Sequence, residues 1–302
     1  ANGVVPSMNI SVKAFTSPGD EVIIQPPVYR PFYSSIRNNG THVINNQLKL
    51  KEGQYKFDLD DLKKKIKNNS LNPSRAKLLI LCSPHNPVGR VWNRDELEEL
   101  GEICIKNNIK IISDDIHADF VYNNKKHIPL ASIKEEFAQY SLTFMAPSKT
   151  FNIAGLHTSF AIIPNENLRR EFTLHKKGFM GSGGVIGLTA MEAAYCNGED
   201  WLEEQLSYLK NNIDFSVNYI KQNLPGIKPI KPEGTYLLWL DCRQLNMESK
   251  ALNEFFVDEI GLALDPGHWF GEGGSGFMRM NLACPRSRIK RGLEMINRAL
   301  KN

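Results

Sequence analysis

The stretch Ser141-Leu-Thr-Phe-Met-Ala-Pro-Ser-Lys149 is an apolar run closed by small residues and a lysine, and Thr150-Phe-Asn-Ile-Ala-Gly155 follows it. A short apolar run bounded by turn residues suits a strand buried on both faces. A lysine at its end sits at the mouth of a core rather than on a solvated face. Burial there disfavours the ammonium form, and a neutral amine attacks carbonyl carbons and forms Schiff bases. Two other apolar runs end the same way. Leu78-Leu-Ile-Leu-Cys82 leads into Ser83-Pro-His-Asn-Pro-Val-Gly-Arg90, and Ile109-Lys-Ile-Ile-Ser113 leads into Asp114-Asp-Ile-His117. The ends of three strands therefore carry an amine, an amide, a carboxylate and an imidazole.

Outward from these runs, short apolar segments alternate with amphipathic ones. The pattern predicts strands over 21–25, 41–45, 78–82, 109–113, 141–145 and 158–163, and helices over 6–16, 58–68, 94–107 and 165–176. Asn93 before Arg-Asp-Glu-Leu-Glu-Glu is a good N-cap with acidic residues in the first turn. Strands alternating with helices predict an α/β domain with a mainly parallel sheet, where ligands sit beyond the carboxyl ends of the strands. Met180-Gly-Ser-Gly-Gly-Val185 interrupts the pattern. Helices are predicted over 185–196 and 199–223, the second stopped by Pro225-Gly226. The remainder reads as a small α+β unit: strand 235–240, helix 250–259, strand 277–282 and helix 286–300. The expected division is a large domain over 1–198, then the long helix and small C-terminal domain over 199–302.

The chain has 302 residues, 41% of them hydrophobic, enough for a large core or two. Its 37 basic and 33 acidic residues leave a net charge of +4, which argues against nucleic acid as a partner. The run Lys63-Lys-Lys65-Ile-Lys67 follows Asp58, Asp60 and Asp61 at helical spacing and reads as a solvated helix face. No stretch is apolar enough to span a membrane, and the first residues do not form a signal peptide. Cysteines 82, 104, 196, 242 and 284 form no C-x-x-C pair, so reduced structural thiols in a cytoplasmic protein are expected, with no metal site.

Eight segments, in order, resemble the fold-type I enzymes that use pyridoxal 5'-phosphate (PLP), the aminotransferase class I/II superfamily. Within it the chain is similar to the cystathionine β-lyase and C–S lyase branch, of MalY/PatB type. The segments are Gly3-Val-Val-Pro6, Ser17-Pro-Gly-Asp-Glu21, Gln25-Pro-Pro-Val-Tyr-Arg-Pro-Phe32, Ser83-Pro-His-Asn-Pro-Val-Gly89, Ser113-Asp-Asp-Ile-His117, Ala146-Pro-Ser-Lys-Thr-Phe-Asn-Ile-Ala-Gly-Leu156, Pro232-Glu-Gly-Thr-Tyr236 and Arg279-Met-Asn-Leu-Ala-Cys-Pro-Arg286. The resemblance implies an aspartate aminotransferase-like fold, with a mainly parallel large domain, a small α+β C-terminal domain and a family N-terminal part that lies upstream of Ala1.

It also implies roles. Lys149 would hold PLP as a Schiff base and then take the substrate's Cα proton. Asp114 would pair with the pyridine nitrogen, with Asp115 as the rival, and keep the ring an electron sink. Asn86 would donate to the phenolic oxygen. His117 stands where aminotransferases carry a tyrosine, which favours the lyase branch, and its spacing from Asp114 favours a place in the site over a merely packed core histidine. Tyr29 would stack on the pyridine face and bring its hydroxyl near the substrate, a catalytic residue beside Lys149. Val4 and Val5 N–H groups would face the phosphate, with Pro6 at the first position of the helix and Ser148 adding a hydroxyl. His157 replaces the arginine that aminotransferases place eight residues after the lysine. Arg279 would grip the substrate α-carboxylate bidentately, while Arg286 is read as structural. Cys284 reads as packing, and Gly271-Glu-Gly-Gly-Ser-Gly276 as a mobile loop rather than a nucleotide loop, because a strand follows it.

The implied reaction is cleavage of L-cystathionine or another cysteine S-conjugate to a thiol, pyruvate and ammonia, by a homodimer. An aminotransferase using the same residues is the second expectation. A regulatory protein that keeps the fold is the third, and the complete catalytic set argues against it.

Overall fold

The computed structural model describes residues 1–68 and 75–301. In chain order, its first elements are α1 (Val4–Phe15), β1 (Glu21–Ile24), α2 (Pro31–Arg37), β2 (His42–Asn45), β3 (Lys49–Lys51), β4 (Gln54–Lys56), α3 (Leu59–Asn68) and β5 (Ala76–Cys82). Next come α4 (Arg94–Lys106), β6 (Lys110–Asp114), α5 (Glu135–Tyr140), β7 (Ser141–Met145), α6 (Pro147–Thr150), β8 (Phe160–Ile162), α7 (Glu166–Lys176), α8 (Val185–Asn197) and α9 (Glu199–Asn223). The last are β9 (Lys228–Ile230), β10 (Leu237–Asp241), α10 (Ser249–Glu254), β11 (Asp265–Pro266), β12 (Phe277–Asn281) and α11 (Arg286–Ala299).

Among the described residues, the larger sheet has the order β2-β1-β5-β6-β7-β8. All its pairings are parallel except β7 with β8. Its strands are apolar on both faces because helices cover both. Leu78 and Ile80 of β5 pack with Val4, Met8 and Val12 of α1 and Phe172 of α7. Leu79 and Leu81 pack on the other face with Leu97 and Leu100 of α4 and Phe137 of α5. This strict alternation follows from the two-residue period of a strand. Helix α4 begins as the sequence predicts, with a reciprocal cap. Glu96 N–H donates to Asn93 Oδ1 at 2.9 Å, and Asn93 N–H donates to Glu96 Oε2 at 2.9 Å.

The smaller sheet, β11-β12-β10-β9, is antiparallel. Leu238, Leu240, Met278 and Met280 face α9 and α11 through Ile213, Val217, Leu293 and Ile296. Trp239 and Phe277 turn the other way and join the core under the larger sheet. There Trp239 Nε1–H donates to Tyr55 Oη at 3.1 Å.

Several boundaries differ from expectation. Helix α1 starts at Val4 behind Gly3, so Pro6 is its third residue rather than its first. Its missing N–H is still one that the first turn leaves free. The 250–259 helix is α10 followed by a π-helical turn over Phe255–Glu259. The sequence reading did not pick out α2, α5, β9, β11 or the β3–β4 hairpin, all of them short. No described helix is long and apolar enough to cross a membrane.

Candidate active site

Strands β1, β5, β6 and β7 run in one direction, so their carboxyl ends open on one edge of the larger sheet. A cavity of about 370 Å³ lies there. Lys149, Asp114, Asn86, His117, Tyr29, Val4, Val5, Ser148, His157 and Arg279 all line it, so every site residue expected from the sequence converges on one place.

Lys149 is half-buried on the single turn α6, directly after β7. Pro147 starts the turn, and Thr150 anchors it by donating its hydroxyl to Asp119 Oδ2 at 2.6 Å. Asp114 is the last residue of β6 and is buried between the ends of β5 and β7. Its Oδ1 accepts the Ile116 N–H at 3.3 Å. Burial raises its pKa to about 7; the Ile116 N–H and the charge of Lys149 pull down, while Asp115 pushes further up.

Asp115 does not line this cavity. Its Oδ1 accepts the Ser113 hydroxyl at 2.5 Å, and its Oδ2 lies 2.8 Å from His127 Nε2. Adjacent carboxylates thus go to opposite sides of the strand end.

His117 is buried, and its Nδ1 has no hydrogen-bond partner among the described residues. Burial, then the charges of Lys149 and Arg279, hold its pKa down to about 3, so the imidazole is neutral. Its ring meets Tyr236 edge-on at 5.5 Å. Tyr29 is half-buried after β1, and burial together with the Asp114 charge raises its hydroxyl pKa. Asn86 is buried and fixed twice: its N–H reaches Cys82 Sγ at 3.3 Å, and its Oδ1 accepts Arg279 Nη1–H at 2.8 Å.

Val4 and Val5 open α1, a helix of 12 residues, so their N–H groups have no carbonyl within the helix to reach. The preceding Gly3 N–H is already taken by Ser159 Oγ at 3.0 Å. Ser148 is half-buried, and His157 is exposed at the rim in a left-handed conformation, φ 48°.

The competing residues are engaged elsewhere. Arg286 Nε–H donates to Asn212 Oδ1 at 2.7 Å, and its guanidinium lies over Phe215, so it is structural. The Gly271–Gly276 loop leads into β12, as expected, but it is tied to the edge of the larger sheet. Asn45 Nδ2 donates to Glu272 Oε1 at 2.8 Å. All five cysteines are free. A larger hollow of about 620 Å³ lies away from the strand ends. Three of its cations are paired: Lys49 with Asp58, Lys65 with Asp61 and Arg243 with Asp241.

Among the further residues that line the cavity, Tyr236 and Asn281 bring polar side chains that the sequence did not single out as site residues. Tyr236 closes the segment Pro232-Glu-Gly-Thr, which was visible as a motif, but nothing in the sequence said which way its ring turns. Asp265, which pairs with Arg279, had no sequence signal at all.

Comparison with known proteins agrees with this geometry. Residues 3–296 match the family described as aminotransferase class I and II. The cystathionine β-lyase PatB of Bacillus subtilis is 41% identical over 300 residues, 99% of this chain and 76% of PatB. The structure of PLP-containing cystalysin from Treponema denticola superimposes with a TM-score of 0.94 at 41% identity, over 99% of this chain and 75% of that one. A PLP-bound protein of Clostridium difficile 630, described as an aminotransferase, superimposes with a TM-score of 0.95 at 45% identity, over 99% of this chain and 76% of that one. With the aspartate aminotransferase-like fold and this site in place, the chain belongs to the aminotransferase class I and II family.

Proposed function

We propose that the chain is a PLP-dependent carbon–sulfur β-lyase acting on L-cystathionine or other cysteine S-conjugates. One observation carries the reading. Lys149, Asp114, Asn86, His117 and Arg279 converge on a single cavity, in a chain 41% identical to a cystathionine β-lyase.

The residues suit the cofactor. Asp114 is a buried carboxylate pushed up to about 7, so a protonated ring nitrogen beside it supplies the charge its surroundings lack. Asn86 gives its oxygen to Arg279, which leaves its NH₂ for the phenolic oxygen. His117 keeps a buried ring nitrogen free for a polar partner. The Val4 and Val5 N–H groups suit an anion at a helix N-terminus, with Ser148 and His157 beside them at the phosphate end. Tyr29 lines the same cavity as Asp114, and its ring suits the pyridine face.

PLP, when bound, withdraws the electron pair left at the substrate Cα after deprotonation. Arg279 grips the substrate carboxylate and fixes which Cα bond faces Lys149. Lys149 Nζ takes the Cα proton. Neutral His117 adds no positive charge of its own to those of Lys149 and Arg279. The bond from Cβ to sulfur then breaks, and the thiolate leaves with the electron pair. Adding water to the remaining fragment gives pyruvate and ammonia, and with L-cystathionine the thiol is homocysteine.

The second reading, an aminotransferase, is favoured by the description of the Clostridium difficile relative and uses the same first proton transfer. Pyruvate and thiol released together from L-cystathionine, with no keto acid added, separate the two.

The same reading takes the chain as a large unit over 1–198 and a smaller one over 199–302, supported by the separate antiparallel sheet. It also takes the protein as a cytoplasmic homodimer. The five free cysteines support the compartment. The exposed Val185, Ile186, Leu188 and Tyr195 on α8 support a covered apolar face.

A further inference from the structure

Asp265 and Arg279 are directly opposed residues of neighbouring antiparallel strands, β11 and β12, so their side chains leave the sheet on the same face. One carboxylate oxygen, Oδ2 of Asp265, accepts both Arg279 Nε–H at 3.1 Å and Nη2–H at 2.6 Å. Arg279 Nη1–H goes to Asn86 Oδ1 at 2.8 Å. The guanidinium also lies 4.8 Å from the centre of the Phe270 ring, and Phe270 is itself buried edge-on against Trp239.

A guanidinium has five N–H donors in a rigid plane. Three are used by these partners, and the two left are one on Nη1 and one on Nη2. These are the pair that a carboxylate takes end-on and bidentately. Asp265 holds the long edge of the group, Phe270 its face and Asn86 one end. The arginine is therefore aimed before anything binds.

We infer that Asp265 is a positioning residue for substrate recognition: it fixes the Arg279 guanidinium so that only its outer fork meets the α-carboxylate. The inference rests on the reading of Arg279 as the carboxylate-binding group. An arginine without this anchor has free rotamers to lose on binding, and its fork can turn away from the Cα. Removing Asp265 also strips a negative charge from the arginine and would by itself attract carboxylates. Asp265 is 37% exposed on its side chain, so that charge effect is screened, and orientation decides the sign.

The test uses the PLP-loaded enzyme and three readouts: KM and kcat for L-cystathionine, and the preference for glycine over glycinamide in spectral titration. Glycinamide lacks the carboxylate, so the preference isolates the Arg279 fork. Asp265→Ala is expected to raise KM and lower that preference by about 10- to 100-fold, with kcat within about threefold of wild type. Asp265→Asn keeps an oxygen that can accept both N–H groups and is expected to recover most of the loss. Asp265→Ser, too short to reach, repeats the alanine result should that variant misfold. Arg279→Lys calibrates the underlying reading. If it raises KM while Asp265→Ala leaves KM and the preference unchanged or tighter, the positioning role is wrong. That role is equally overturned if Asp265→Asn is no better than alanine. If Arg279→Lys leaves KM unchanged, Arg279 does not bind the carboxylate and the inference falls with that reading.

Discussion

Asn86 Oδ1 accepts a hydrogen bond from Arg279 Nη1 at 2.8 Å, and this bond joins the carboxyl end of β5 to β12 of the smaller sheet across the site. The residue assigned to the cofactor and the residue assigned to the substrate are thus coupled directly. Asn86→Ala removes the acceptor for a buried charged donor. A hydrogen bond to a charged group is worth about 1.5–3 kcal/mol, so kcat/KM is expected to fall roughly 10- to 100-fold. Steady-state kinetics on L-cystathionine checks this. A change within twofold would show that the two residues act independently.

Lys149→Ala should abolish turnover, with a loss of at least about 100-fold from the missing base alone. It should also remove the absorbance of lysine-linked cofactor while the protein stays folded. Absorption spectra of the purified variant, with and without added PLP, give the answer. An unchanged spectrum would remove Lys149 from its assigned place.

Burial raises the Asp114 pKa to about 7 in the cofactor-free protein, above the ordinary carboxylate range. The folded state then holds this proton more tightly than the unfolded one. Its contribution to stability is full below about pH 4 and is lost as pH rises through about 7. His85 and His117, kept neutral by burial at about 4 and about 3, act the other way, losing stability as pH falls below about 6.5. The Asp114 part is therefore read as the difference between wild type and Asp114→Asn. Urea unfolding of PLP-free protein is expected to show the variant gaining roughly 2–4 kcal/mol over wild type between pH 5 and pH 8. With PLP bound the gain should shrink or reverse, because the ring nitrogen then pairs with Asp114.

Gly89 packs against the entry to the smaller sheet. A Cβ there would lie 2.5 Å from Pro232 Cβ and 2.8 Å from Pro232 Cα, and the backbone has φ +71°. Gly89→Ala is expected to cost about 2–4 kcal/mol of stability, from the clash and the strained backbone together. Glu233, in the same joint, accepts from Arg90 Nε at 2.9 Å and from Val91 N–H at 3.0 Å. Glu233→Ala leaves the buried Arg90 with Glu96 as its remaining acidic partner and is expected to cost about 1–3 kcal/mol. Chemical denaturation measures both.

The order of strands and helices was legible because the buried strands are continuous apolar runs and the main helices carry clear periodicity. The residues at the strand ends were legible for the same reason, since a parallel sheet brings its carboxyl ends together whatever the loops do. The choice of Asp114 over Asp115 came from the family motif alone, and its physical reason is that neighbouring side chains at the strand end go to opposite sides, with Asp114 on the cavity side. Asp265 was invisible because its partner is set by the register of β11 on β12, and β11 is only two residues long. Tyr236 depends on a turn through Thr235, whose φ of 68° no periodicity announces.

The most direct test of the account follows two fates in one experiment. PLP-loaded protein is given L-cystathionine without any keto acid, and pyruvate, free thiol and the cofactor spectrum are recorded together. The account predicts pyruvate and thiol in equal amounts over many turnovers, with the cofactor spectrum returning to its starting form. A single turnover that leaves the cofactor as its pyridoxamine form, with no thiol released, would contradict it and identify an aminotransferase.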